Sequence, residues 1–175
     1  MLLRGERVAL RPLVAGDLEA VYAALQEPEV ARWWGVFNAE RIRKELLDAP
    51  DTTAYAIDVD GAVAGVVTAS EEVHPDYRHA GIDIFLAEAF QDRGYGSEAI
   101  RVLARHLFGG RGHHRLTIDP AAANARAIRA YEKAGFRPVG VMRDYERGPD
   151  GTWHDGLLMD LLAREFEPEI YALPG

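Results

Sequence analysis

Apolar residues at Leu18, Val21, Tyr22 and Leu25 recur at helical spacing behind Asp17, which predicts a helix with Asp17 as its N-cap and Pro28 as its end. A second helix is predicted over residues 39–47, and residues 7–13 read as a first strand. The runs 53–59 and 63–70 flank Asp60-Gly61, a dipeptide that favours a tight two-residue hairpin turn. Residues 81–87 alternate Ile82, Ile84 and Leu86 with Asp83, Phe85 and Ala87, the pattern of a strand with two unlike faces. Further on, Ile100, Leu103, Ala104 and Leu107 make a helical stripe stopped by Gly109-Gly110. Residues 115–118 are a brief strand, and residues 122–134 a second strong helix with Gly135 placed to cap its C-terminus. Residues 137–145 and 152–162 flank GPDG as a closing hairpin.

The order is therefore strand, helices, an antiparallel meander, strand-loop-helix, strand-helix and a final hairpin. It predicts an α/β chain of the α+β type: a mixed, mostly antiparallel sheet of about six to seven strands flanked by about four helices. No linker, internal repeat or low-complexity stretch interrupts it, so residues 1–175 are expected to form one domain long enough to bury a real core.

Composition narrows the chemistry. The absence of cysteine excludes disulfides, thiolate catalysis and cysteine–zinc sites. The opening MLLRGERVALRP carries charges every few residues without an apolar core of signal-peptide length, and no run approaches the roughly 20 apolar residues of a membrane span. A cytoplasmic protein without a membrane partner is expected. The net charge of −8 is uneven: residues 1–90 hold 16 acidic and 8 basic side chains, residues 91–175 hold 12 of each. An acidic surface can serve solubility alone, or it can draw a cationic substrate beside an arginine-rich half suited to an anion. Nucleic acid is not an expected partner, because no basic stripe with interleaved aromatics occurs.

The stretch Gln91–Gly96 (QDRGYG) places two glycines ahead of a helix, as phosphate-binding loops do. A Walker A loop would need a lysine after the last glycine, and Tyr95-Gly96-Ser97 has none. GYGSEA does fit G-x-G-x-x-G/A, with Asp119 twenty residues after Ala99. A doubly wound dinucleotide fold would require further β-α repeats after Asp119, however, where the chain has one helix and a hairpin. The wider stretch FLAEAFQDRGYGSEAI, with Gln91 opening a Q/R-x-x-G-x-G/A pattern, resembles the acetyl-CoA signature of the GNAT N-acetyltransferase superfamily. NARAIRAYEKAGF at residues 124–136 continues that resemblance.

What the resemblance implies is an enzyme that moves an acetyl group directly from acetyl-CoA, its co-substrate, to a primary amine, with no covalent acyl-enzyme and no metal. It assigns the pyrophosphate to Gln91, Asp92, Arg93, Gly94, Tyr95, Gly96 and Ser97 at a helix N-terminus, where free amides and the positive dipole end favour an anion. It assigns the pantetheine arm and thioester carbonyl to the strand around Phe85, Leu86 and Ala87, with Asn124 and Ala127 alongside. Asn124, Ala127, Ile128 and Tyr131 follow i, i+3, i+4, i+7 spacing and share one helix face. That makes Tyr131 the expected acid for the departing thiolate, though a tyrosine on such a stripe can equally be core.

Asp83 is the second expected catalytic residue. A carboxylate inside a strand is disfavoured and needs a partner or a task. It is expected to orient the acceptor amine and accept its proton, directly or through water. With an ordinary pKa of about 4 an aspartate is a poor base toward an ammonium, so binding the cation is its larger expected contribution.

Within the superfamily, RWWG at residues 32–35, GIDIFLA at residues 81–87 and IDPAAANARAIRAYEKAGF at residues 118–136 resemble aminoglycoside 6′-N-acetyltransferases. This resemblance implies that Trp34, Asp83 and Asp119 contact a cationic, hydroxyl-rich antibiotic, and that the chain confers antibiotic resistance. Trp33 and Trp34 can also be core aromatics. Segment EEVHPDYRHA departs from the expected acceptor loop; Glu71, Glu72 and Tyr77 are candidates there, Glu72 and Tyr77 being carried as substrate-binding. Asp150 and Asp155 read as turn and surface residues. His113-His114 would point to opposite strand faces with no third ligand, so no metal is expected. Two alternatives stay open: a protein N-terminal acetyltransferase of the ribosomal-protein type, which the opening ERVALRPLVAGDLEAVYAALQEPEVARWW also resembles, and a non-catalytic acyl-CoA sensor. The chain is expected as a monomer or a homodimer.

Overall fold

In the computed structural model, which describes residues 1–167 of the 175, the Asp60-Gly61 dipeptide turns β3 (Thr52–Val59) back onto β4 (Ala62–Glu72) in antiparallel register. Both turn residues are left-handed, and Asp58 accepts the Gly61 N–H at 2.9 Å. β4 pairs in turn with β5 (His79–Leu86), and the remaining strands are β1 (Leu3–Arg4), β2 (Ala9–Pro12), β6 (Arg115–Ile118), β7 (Arg137–Arg147) and β8 (Trp153–Leu162). Together they form one eight-stranded sheet in the order β1-β2-β3-β4-β5-β6-β8-β7, antiparallel everywhere except between β5 and β6. The strand beyond the expected six to seven includes β1, whose two residues are too short to show an alternation.

Among the described residues five helices accompany the sheet: α1 (Leu18–Gln26), α2 (Pro28–Trp34), α3 (Ala39–Ile42, continued by a wider turn through Leu47), α4 (Tyr95–Arg105) and α5 (Ala125–Lys133). Pro28 does more than stop α1. It occupies the first turn of α2, where its missing N–H costs nothing. Asp17 is also used differently from the expected cap: its carboxylate turns back to the Val14 N–H at 3.0 Å and grips both Arg11 guanidinium nitrogens at 2.8 Å.

Strand alternation sends the two faces of the sheet to two cores. Ile57, Val67 and Ile82 pack with Ile100 and Leu103 of α4, Tyr131 of α5, and Met159 and Leu161 of β8. Ala56, Val66 and Phe85 pack on the opposite face with Val21 and Leu25 of α1, Val30 of α2 and Ile42 of α3. Asp83, in step with Phe85, thus belongs to the α1–α3 face, while α5 and its Tyr131 lie on the other. Among the described residues no helix is long and apolar enough to cross a membrane.

The parallel pair is short. β5 and β6 register only at Ala80 with Leu116 and Gly81 with Thr117; β6 then ends at Ile118 while β5 runs on to Leu86. The sheet splits there, and the gap joins its two faces. That gap is the candidate site.

Candidate active site

The split opens into a cavity of about 530 Å³ walled by β5, the loop before α4, α5, α2 and the segment after β6. Its chemistry starts with the backbone of β5. Ala87 donates its N–H to Ala64 at 2.9 Å, so the antiparallel alternation turns Phe85 and Asp83 toward β4 and aims the N–H and C=O of Ile84 and Leu86 at the opposite edge. With β6 ended, that edge faces the cavity. Gln91 closes one of the open groups by donating its side-chain amide to Leu86 O at 2.8 Å, which leaves the Leu86 N–H to the cavity. Of the three strand residues assigned to the acetyl donor, then, Leu86 presents a backbone donor. Phe85 is a buried wall, and Ala87 spends its N–H on Ala64 and its C=O on Phe90. Ile84, which the sequence reading passed over, supplies the neighbouring backbone groups.

The glycine loop leads straight into α4. Gly94 is its N-cap in the left-handed region (φ 83°), and a Cβ there would lie 3.0 Å from an Arg7 guanidinium nitrogen. Glu98 donates its N–H to Gly94 O, so Tyr95, Gly96 and Ser97 form the first turn, whose amides have no intrahelical acceptor. Glu98, 2% exposed, fixes this end of the helix: its carboxylate accepts the backbone N–H groups of Arg7 and Val8 and the Arg7 Nε. Arg7 also lies over the Tyr95 ring and donates to Arg93 O. The side chains of Tyr95 and Arg93 therefore serve the outside of the loop rather than the cavity. The Ser97 hydroxyl donates to Ala130 O, tying α4 to α5.

α5 brings its own set. Asn124 caps it, accepting the Ala127 N–H on Oδ1, and both residues line the cavity with Tyr131. Arg126, Arg129 and Lys133 lie along the same wall; Arg126 pairs with Asp92 at 3.6 Å. Among the described residues Arg129 and Lys133 have no ion-pair partner. Three cations and a set of unsatisfied amides make this half of the cavity a fit for a phosphorylated group.

The other half is acidic. Asp83, Asp119 and Glu146 line it, and Glu146 on β7 is a residue that sequence spacing gave no reason to single out. Asp83 is exposed at the split, yet the protein crowded around it limits its hydration, and this, with the charges of Asp119 and Glu146 added, pushes its carboxyl up to about 6. Burial likewise raises Glu146, Asp119 adding to it. Tyr131 is buried, and that burial, followed by the charges of Asp83 and Asp119, drives its phenol well above the ordinary range. These interactions connect Asp83 on one face of the sheet with Tyr131 on the other, through the split.

Aromatic walls complete this half. Trp34 is half-buried, stacked edge-on against Phe85 at 5.0 Å, and lines the cavity together with Trp33 and Phe37. Core packing and cavity lining are thus both true of Trp34. Glu72 and Tyr77 are not brought to the cavity. Glu72 is exposed and accepts the His74 N–H, and Tyr77 is 73% exposed, because both sit at the far end of the β4–β5 hairpin. Glu71 is turned to Arg111 and to buried His113 at 2.7 Å, Asp150 to Thr152 and His154 in the last turn. Among the described residues no group of three or more histidine or carboxylate side chains could hold a metal.

Residues 7–137 match the family described as acetyltransferase (GNAT) domain. Over 166 residues the chain is 31% identical to aminoglycoside N(6′)-acetyltransferase type 1 of Klebsiella pneumoniae, covering 83% of this chain and 80% of that protein. It is 26% identical over 175 residues to spermidine N(1)-acetyltransferase of Escherichia coli (strain K12), covering 96% and 92%. The crystal structure of aminoglycoside acetyltransferase AAC(6′)-Ib in complex with coenzyme A superposes with a TM-score of 0.77 at 27% identity, over 93% of this chain and 99% of that one.

Proposed function

The chain belongs to the GNAT acetyltransferase family, and from that premise we propose that its acetyl acceptor is the 6′-amine of an aminoglycoside antibiotic. An acetyl-CoA-dependent N-acetyltransferase follows from the family itself. The finer reading is carried by one observation: Asp83, Asp119 and Glu146 line the acceptor half of the cavity beside the Trp34 ring. Several carboxylates suit a polycation, and an aromatic face suits a sugar ring. Residues 1–175 are read as one N-acetyltransferase domain.

Acetyl-CoA supplies an activated acetyl thioester. The α4 amides with Arg126, Arg129 and Lys133 hold its phosphates, and the Leu86 N–H is available to polarise a carbonyl oxygen. Asp83 binds the reacting ammonium and takes its proton. A carboxyl raised to about 6 is a far better match to an amine than an ordinary aspartate, which makes the base role stronger than composition alone suggested. A phenol held well above the ordinary range keeps Tyr131 protonated in the resting site and so ready to donate to the departing sulfur.

A polyamine is the second reading, favoured by the likeness to the spermidine enzyme over 96% of the chain. An acceptor screen with kanamycin, tobramycin, spermidine and an N-terminal alanine peptide separates the readings. Released CoA is measured with a thiol reagent, to which a chain without cysteine contributes no signal. The aminoglycoside reading is abandoned if neither antibiotic releases CoA above the hydrolysis of acetyl-CoA alone.

A further inference from the structure

Tyr145 and Glu146 are neighbours on β7, and in a regular strand their side chains would point to opposite faces. Here both act near Asp119: the Tyr145 phenol donates to Asp119 Oδ2, while Glu146 lines the same cavity as Asp119 and feels its charge. The cause is a bulge. Met142 pairs with Gly156 and Glu146 with His154, so four steps along β7 cover two along β8. Within it Asp144 is left-handed (φ 47°) and gives its N–H to Asp155 Oδ1 at 2.9 Å, which satisfies the displaced backbone.

β8 also makes room for the ring. A Cβ at Gly156 would lie 2.7 Å from Tyr145 Cδ1 and 3.3 Å from Met142 Cε, so only glycine accommodates the phenol in this place. The same stretch of β8 anchors the segment that carries Asp119, with Leu157 donating to Pro120 O at 2.9 Å and Ala122 to Asp155 O at 2.8 Å. Donor and acceptor are thus both referenced to residues 155–157.

We infer that Tyr145 is a positioning residue for the acceptor: it fixes one oxygen of Asp119 so that the other, with Glu146, receives a second ammonium of a substrate whose reacting amine is at Asp83. This rests on the polycationic acceptor proposed above. The phenol is suited to it, because the hydrogen bond to Asp119 and then burial push it up to about 12, and it remains a donor across the working pH range. The arrangement selects amines carrying a further cation near the one acetylated.

The test uses the intact chain and a double-mutant cycle. Tyr145→Phe keeps the ring in its Gly156 notch and removes only the hydroxyl. It should raise the KM for kanamycin about tenfold, with the KM for acetyl-CoA moving less than about twofold. In an Asp119→Asn background the same substitution should change the kanamycin KM by less than about twofold. An unchanged KM in Tyr145→Phe overturns the inference, as does an equal loss with Asp119→Asn already present. Calorimetry on the wild type tells the two levels apart. If neither kanamycin nor spermidine binds, the acceptor reading fails and the inference with it; if they bind and Tyr145→Phe binds equally well, the inference alone is lost.

Discussion

Replacing Asp83 by asparagine should make the protein more stable while disabling it. In the fold the carboxyl is raised from 3.8 to about 6, because ionisation at the split of the sheet is opposed by poor hydration and by Asp119 and Glu146. The folded state therefore holds a proton that the unfolded chain has released, and the wild type loses stability as pH climbs from about 4 through about 6, the full cost persisting above. Roughly two units would correspond to about 3 kcal/mol if fully felt, but Asp83 meets water across the cavity, and screening reduces this to about 1 kcal/mol. Asparagine keeps the shape and removes the charge. At pH 8 Asp83→Asn should melt about 2–4 °C above wild type, with the difference gone at pH 4. Its kcat/KM should fall by about 10²–10³-fold, since base and ammonium ligand are lost together. Thermal melts at several pH values and a CoA-release assay on the same samples measure both. A variant that melts at or below the wild type at pH 8, or whose gain does not depend on pH, would refute the electrostatic account of Asp83.

Tyr131→Phe should lower kcat about 10²-fold while the KM for acetyl-CoA stays within about twofold, measured by initial rates; a matching rise in that KM would place Tyr131 in binding instead. Glu98→Ala leaves the Arg7 and Val8 backbone N–H groups without their acceptor, so urea unfolding should show a loss of about 3 kcal/mol, and the acetyl-CoA KM should rise as the start of α4 loosens. Replacing Arg129 and Lys133 by alanine together should weaken CoA binding by about tenfold in calorimetry at low salt, and by less as salt is added. A salt-independent loss would speak against a phosphate seat on α5.

Residues that act through local chemistry were legible in the chain. Asp60-Gly61 makes its turn wherever it stands, and glycines ahead of an amphipathic stripe mark a loop with free amides. Alternation along residues 81–87 already separated Asp83 from Ile82 and Ile84. Proline was only half legible, since Pro28 marks a helix boundary without saying which side of it the next helix occupies. Glu146 and Tyr145 were not legible at all. Their common direction comes from a bulge opposite Gly156, and no spacing rule on a strand predicts two successive side chains at one site. Glu72 and Tyr77 lie away from the cavity for a related reason: nearness to β5 along the chain says nothing about which end of a long hairpin meets it.

By itself the sequence determined the kinds of element, the glycine loop ahead of a helix N-terminus and the family to which the chain belongs, because these depend on periodicity, turn chemistry and motifs within some twenty residues. The tertiary structure alone decided where β5 and β6 part. A register of two residue pairs frees the backbone of Ile84 and Leu86 and lets Asp83 on one face meet Tyr131 on the other. It also gathered Asp83 from within β5, Asp119 from just after β6 and Glu146 from β7 into one pocket, where restricted hydration and then mutual repulsion raise the Asp83 carboxyl above its ordinary value. Contact between distant segments sets both, and no local pattern encodes a distance across the sheet.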